Sequence, residues 1–113
     1  MKRIEAIIRP TVLEALRQQL EKVGYPGVMV SEIKGHGKQR GVSHQFRGTE
    51  YKEFFLPKIK IELIVREDQV KKIVETITET CRSGTVGDGK IFISEVENAI
   101  RIRTGETGDS ALA

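Results

Sequence analysis

Apolar and polar positions alternate with period two over Lys2 to Arg9, with Ile4, Ala6 and Ile8 on one side and Glu5, Ile7 and Arg9 on the other. Both sides carry apolar character, so this reads as a central strand. Pro10 ends it, and Thr11 to Glu14 offers a capping box in which the Thr11 hydroxyl and the Glu14 carboxylate satisfy free backbone N–H groups. Leu13, Leu16, Leu20 and Val23 then recur at helical spacing up to Gly24, a helix stop. Val28 to Ile33 is rich in β-formers. A second strongly alternating run, Lys58 to Val65, buries Ile59, Ile61, Leu63 and Val65 on one face. Glu67 and Asp68 suit the positive end of a helix carrying Val70, Ile73, Val74, Ile77 and Cys81 up to Gly84, and Ile91 to Val96 is again a strand.

Strand-helix-strand occurs twice, which is the order of an α+β, ferredoxin-like split β-α-β sandwich (βαββαβ) with a long loop between its second and third strands. Both helices then cover one sheet face. Ile7, Ile64 and Phe92 fall on the other, where an additional subunit would cover them.

Between the two halves, Lys34 to Lys52 has no hydrophobic period. Compact domains join their elements with about 2–6 residues, so a connection this long is a functional loop or a disordered one. Its glycines at 35, 37, 41 and 48 and its cations Lys34, Lys38, Arg40, Arg47 and Lys52 suggest a mobile recognition loop that meets an anion or an acidic partner.

At 113 residues the chain fits a single domain, 1–113. A lone Cys81 forms no intrachain bridge, and no apolar run approaches the roughly 20 residues of a membrane span. With a start that lacks a signal-peptide core, these features predict a cytoplasmic protein. The net charge of +3 is mild, with acids and bases interleaved, and does not demand nucleic acid.

Three places carry chemistry. Ser83-Gly-Thr-Val-Gly-Asp-Gly-Lys90 lets backbone N–H groups approach phosphate while Lys90 supplies a point charge, although its helix-loop-strand order differs from a P-loop and also suits a plain connector. Strand alternation over Ile100 to Glu106 puts Arg101 and Arg103 on one face, suited to phosphate or carboxylate or to surface pairing at an edge. A fan of Lys90, Arg101 and Arg103 around the glycine turn suggests a polyanionic nucleotide. In the long segment, the Gln39 amide oxygen can join a magnesium shell, Lys58 at its far base can pair with a carboxylate, and Tyr51 sits at a tip open to a partner or to modification. His36 and His44 lack metal-ligand spacing, and Cys81 on the apolar stripe reads as buried filler.

Lys34-Gly-His-Gly-Lys-Gln-Arg-Gly41, Phe46-Arg-Gly-Thr-Glu-Tyr51, Phe55-Leu-Pro-Lys58, Gly84-Thr-Val-Gly-Asp-Gly-Lys-Ile-Phe92 and Ile100-Arg-Ile-Arg-Thr-Gly-Glu106 closely resemble the PII nitrogen-regulatory signal proteins, from Met1 to about Glu106. The resemblance implies a homotrimer with ATP or ADP in clefts between subunits, a T-loop at about 37–55 that docks on targets, and a tail, 107–113, outside the pattern. It places Gly87, Asp88, Gly89 and Lys90 in a B-loop around the phosphates, with Arg101 and Arg103 reaching in from the adjacent chain. Gly35, His36, Gly37 and Lys38 would meet the nucleotide at the base of the T-loop, and Glu62 and Ile64 would lie near adenine and ribose. Magnesium would bridge ATP and 2-oxoglutarate, with Gln39 as ligand and Lys58 on the effector's carboxylate. Tyr51 matches a uridylylated tyrosine, and Thr49 a position phosphorylated as serine in some relatives.

Lys38 where arginine is usual, Met29 where threonine is common, Val42 to Phe46 and Lys52 depart from the pattern. The implied targets are an ammonium transporter, a uridylyltransferase or a nitrogen-metabolism enzyme. No nucleophile and base pair is visible, so the chain reads as a regulator with at most incidental ATP hydrolysis. The rivals are a small phosphate-processing enzyme, with Glu62 its candidate base, and a nucleic-acid-binding ferredoxin-like domain, for which 5% aromatic content gives few stacking residues.

Overall fold

The computed structural model describes residues 1–25, 27–36, 42–46, 49–53 and 55–112, those at 42–46 and 49–53 by backbone alone. Eight regular elements follow in order: β1 (Lys2–Ile8), α1 (Leu13–Lys22), β2 (Met29–Gly35), β3 (Val42–Phe46), β4 (Thr49–Glu53), β5 (Leu56–Val65), α2 (Val70–Cys81) and β6 (Lys90–Glu95). Short 3-10 turns precede both helices, and a third spans Gly108–Leu112.

The main sheet is antiparallel with strand order β2-β5-β1-β6, the ferredoxin-like arrangement expected. Alternation decides which residues meet the helices. Ile4, Ala6 and Ile8 of β1 and Ile59, Ile61, Leu63 and Val65 of β5 face Leu16 and Leu20 of α1 and Ile73, Ile77 and Cys81 of α2 in one core. Each such aliphatic side chain contributes roughly 1.5–3 kcal/mol on burial. The central position of β1 follows from its pairing with β5 on one side and β6 on the other.

Gly24 stops α1 as expected, in a Schellman turn. With φ at +94°, it donates to Glu21 O at 3.0 Å while the Tyr25 N–H reaches Leu20 O at 2.8 Å. The capping box at Thr11 does not form. Residues 10–12 make a 3-10 turn, Val12 takes the cap position without a side-chain bond, and Glu14 instead pairs with Arg17 at 2.7 Å. A box of this kind forms instead on the 3-10 turn Glu67–Gln69 before the second helix, where Gln69 Oε1 accepts the Arg66 N–H at 3.1 Å, although α2 itself has no side-chain cap bond. The second helix ends at Cys81, three residues before Gly84, and Arg82 is already extended.

Two further expectations change. Within the long segment, β3 and β4 pair as a separate antiparallel hairpin, Phe46 opposite Thr49, so part of a stretch without hydrophobic period is regular backbone. The Arg101–Arg103 run is a turn and not a strand: the Gly105 N–H donates to Arg101 O at 2.7 Å, and the Arg101 N–H donates to Glu106 O at 2.8 Å. Gly105, at φ +75°, and the Thr104 hydroxyl, bonded to Glu106, favour this local closure over a ladder, so alternation cannot place the two guanidinium groups on one face.

The sheet face away from the helices carries Ile7, Lys60, Glu62 and Ile64, all half-buried, with Met29 and Phe92 more than half exposed. Glu5 pairs with Lys60 at 3.3 Å and Arg3 with Glu62 at 3.9 Å. No helix among the described residues is long and apolar enough to cross a membrane.

Candidate functional site

The carboxyl ends of β1 and β2 and the amino ends of β5 and β6 meet at one end of the sheet, as antiparallel pairing requires. There a cleft of about 550 Å³ opens, lined by Ile7 of β1, Gly35 at the end of β2 and His36 after it, Leu56 and Lys58 of β5, Thr85 to Gly89, and Lys90 and Phe92 of β6. Seven of the expected site residues thus converge: Gly35, His36, Lys58, Gly87, Asp88, Gly89 and Lys90.

The loop 83–89 owes its shape to three devices. Gly84, Gly87 and Gly89 hold φ at +87°, +104° and +102°, the left-handed region that side chains resist. At Gly89 a side chain is excluded by space as well, since a Cβ would stand 1.7 Å from the Ile7 carbonyl oxygen. Second, the Asp88 carboxylate turns back to accept from Ser83 N at 2.8 Å, Gly84 N at 2.9 Å and the Ser83 hydroxyl. Third, Arg9 reaches the loop from the end of β1, donating to Thr85 Oγ1 at 3.0 Å, Val86 O at 2.6 Å and Gly87 O at 3.2 Å.

These contacts set the electrostatics. The Ser83 hydroxyl and backbone N–H, then Gly84 N–H and Arg9, hold the Asp88 carboxyl down to about 2 from an ordinary 3.8. Its carboxylate is therefore a tie within the loop rather than a proton acceptor. Because the folded value lies below the unfolded one, its contribution to loop stability is complete above about pH 4 and is lost as pH falls through about 2. Amide shifts of Ser83 and Gly84 are expected to titrate in that range and to lose the titration in Asp88→Asn. A midpoint near 4 would refute the tie.

Lys58 Nζ donates to Gly87 O at 3.2 Å, the same carbonyl that Arg9 engages. Burial lowers the Lys58 pKa first, and the Arg9 charge lowers it further, with Asp88 opposing. An anion entering beside Lys58 relieves that strain between cations, so the cleft favours negatively charged ligands. Gly35 lies beside the Lys58 stem, where a Cβ would stand 3.4 Å from Lys58 Cγ, at ordinary contact distance. His36 lies against Phe55, ring centres 5.5 Å apart. Burial pushes the Cys81 thiol up to about 11, as expected of core filler.

Other expected residues lie elsewhere. Glu62 and Ile64 stand four and six residues along β5 from Lys58, roughly 13 and 20 Å at strand rise, and do not line the cleft. Nor do Arg101 and Arg103, so the fan with Lys90 is not assembled within one chain. Arg101 Nη2 instead donates to Ser110 O and Ala111 O, both at 3.4 Å, in the tail. Gly37, Lys38 and Gln39 lie outside the described residues, and of Thr49 and Tyr51 only the backbone, on β4, is described. Among the described residues no group of three His, Cys, Asp or Glu side chains could hold a metal. Magnesium would depend on ligand oxygens and Gln39, a set compatible with its habit of keeping substrate oxygens and water.

Sequence reasoning missed Arg9 and Leu56 as site components and read Ile7 and Phe92 only as residues of the open sheet face, whereas Thr85 and Val86 fall within the glycine-rich turn it singled out. A cation at the strand end immediately before Pro10 was the available signal for Arg9. The enzyme rival loses support: Glu62, the candidate base, is outside the cleft and faces Arg3.

The sequence matches the family model described as Nitrogen regulatory protein P-II over residues 1–106. Similar curated proteins of that name include those of Cereibacter sphaeroides, 50% identical, and Pasteurella multocida, 48% identical. Nitrogen regulatory protein P-II 1 of Escherichia coli K12 is 49% identical. Each of these alignments covers 99% of this chain and all of the relative.

Proposed function

The chain belongs to the nitrogen regulatory protein P-II family, a family of signalling regulators rather than enzymes that act on target proteins, and from that premise we propose that it reads ATP, ADP and 2-oxoglutarate. The observation that carries the reading is the convergence of Lys58, Lys90 and the Gly87–Gly89 turn on one cleft at the base of the long segment. Phosphates lie against the turn, and the 2-oxoglutarate carboxylate pairs with Lys58. Gly35, His36, Gly37 and Lys38 meet the nucleotide from the loop base, while Gln39 gives magnesium one oxygen.

Residues outside the cleft, together with Phe92 of its lining, find their use in a homotrimer. Exposed Met29 and Phe92, with Ile64 beside them on the open sheet face, favour coverage by a second copy. In such an assembly Glu62, Ile64, Arg101 and Arg103 complete a site between neighbours. The β3–β4 hairpin then serves as the target-docking T-loop, with an ammonium transporter, a uridylyltransferase or a nitrogen-metabolism enzyme as partner. Tyr51 is the uridylylation candidate and Thr49 the lesser, phosphorylation candidate. The switch is one of populations: effectors move the loop by their differential affinity for its states.

Isothermal titration tests this. ATP and ADP are expected to bind, and 2-oxoglutarate only with Mg-ATP present. Lys58→Met is expected to lower 2-oxoglutarate affinity by about a hundredfold, in the range of a buried charged pair losing one partner, while ATP binding persists. Absence of 2-oxoglutarate binding to the unsubstituted protein with Mg-ATP overturns the sensing reading. Absence of ATP binding overturns the nucleotide reading.

A further inference from the structure

We propose that Arg9 is a positioning residue for the anion-binding loop, setting the direction of its backbone N–H groups without itself holding the ligand; this rests on the phosphate-binding reading of the cleft. One guanidinium engages four successive residues: Thr85 Oγ1 at 3.0 Å, Val86 O at 2.6 Å, Gly87 O at 3.2 Å and Asp88 Oδ1 at 3.6 Å. Its own base is fixed. Arg9 is extended at φ −69°, ψ 143°, Pro10 follows, and the Val12 N–H returns to Arg9 O at 3.3 Å.

Peptide planarity carries the consequence. In a trans peptide the N–H points opposite to the preceding carbonyl, so holding Val86 O toward Arg9 directs the Gly87 N–H away from it, while Gly87 O is shared between Arg9 and Lys58. Gly87 and Asp88 line the cleft, and Arg9 is not among its described lining residues. Glycine-rich turns bind anions through such N–H groups, but glycine also leaves the unbound turn many alternatives. A forked cation on two adjacent carbonyls removes those alternatives before the ligand arrives. Preorganisation of this kind raises affinity by lowering the ordering cost of binding.

The test compares Arg9→Met with the unsubstituted protein in two measurements. In hydrogen exchange, amides 84–89 are expected to exchange faster while those of β5 and α2 keep their protection. In titration calorimetry, ATP and ADP are expected to bind about tenfold more weakly or worse, with adenosine unaffected, a split that general destabilisation does not produce. Unchanged ATP affinity overturns the proposal. Weaker ATP binding with unchanged loop exchange also overturns it, because Arg9 is then a direct ligand. Should Arg9→Met fail to fold, Thr85→Val removes one tether and is expected to move both readouts in the same direction by less. If the unsubstituted protein binds no nucleotide, the phosphate reading fails, and the exchange comparison still decides whether Arg9 orders the loop.

Discussion

Gly89→Ala is expected to abolish measurable ATP and ADP binding while leaving the helices and most of the sheet folded. Two costs meet at this position. Alanine at φ +102° takes the left-handed strain of roughly 1–2 kcal/mol that L side chains incur there. Its Cβ would also stand 1.7 Å from Ile7 O and 2.8 Å from Ile7 C, both backbone atoms of the central strand. Neither can swing aside as the end of a flexible side chain would. Overpacking adds about 1–3 kcal/mol even after relaxation, and the cheapest relaxation lifts residues 87–90 away from β1. That movement displaces Lys90 and breaks the Gly87 carbonyl from Arg9 and Lys58. Calorimetry for binding and circular dichroism for fold check both halves of the expectation. Normal nucleotide affinity in Gly89→Ala would refute the packed-loop account.

Ile61→Ala is expected to be the converse, a loss of fold stability of about 2–5 kcal/mol that reaches the site only through unfolding. Ile61 is wholly buried on β5 between Ala6 of β1 and Val30 of β2, in the core shared with both helices. Removal of its outer carbons leaves a cavity whose walls belong to regular elements with little room to collapse. Urea unfolding measures the loss, and nucleotide affinity of the folded fraction should stay within about twofold, since the cleft residues lie at the sheet end and separated substitutions act independently. A loss under 1 kcal/mol would show that the core is not centred where the alternation places it.

These two positions differ in how far each was legible. Ile61 belongs to a run whose period states its burial, and the helical stripes containing Leu16, Leu20, Ile73 and Ile77 do the same. The glycine turn was legible too, because Gly87 and Gly89 are backbone requirements written locally. Gly89's contact with Ile7 was not, because the partner is an atom of a distant strand. Alternation misled at Arg101 and Arg103, where a close turn held by Thr104, Gly105 and Glu106 replaced the expected strand. The Thr11 cap failed for a related reason: Pro10 began a 3-10 turn, and Glu14 found Arg17 one turn on.

The sequence by itself therefore determined the four strands of the main sheet and the two helices, their order, the buried faces and the chemistry available at the cleft, since period, glycine placement and charge act over a few residues; the β3–β4 pairing and the turn at 101–106 it did not. The tertiary structure alone decided which of those groups share the cleft. Arg9 lies 76 residues from Thr85 and 78 from Gly87, and only the antiparallel closing of β6 on β1 brings them within hydrogen-bond reach. The separation of Glu62 and Ile64 from Lys58 needed no such closure, because all three stand on one strand and each residue adds about 3.4 Å along it; only the position of the cleft at the Lys58 end came from the fold.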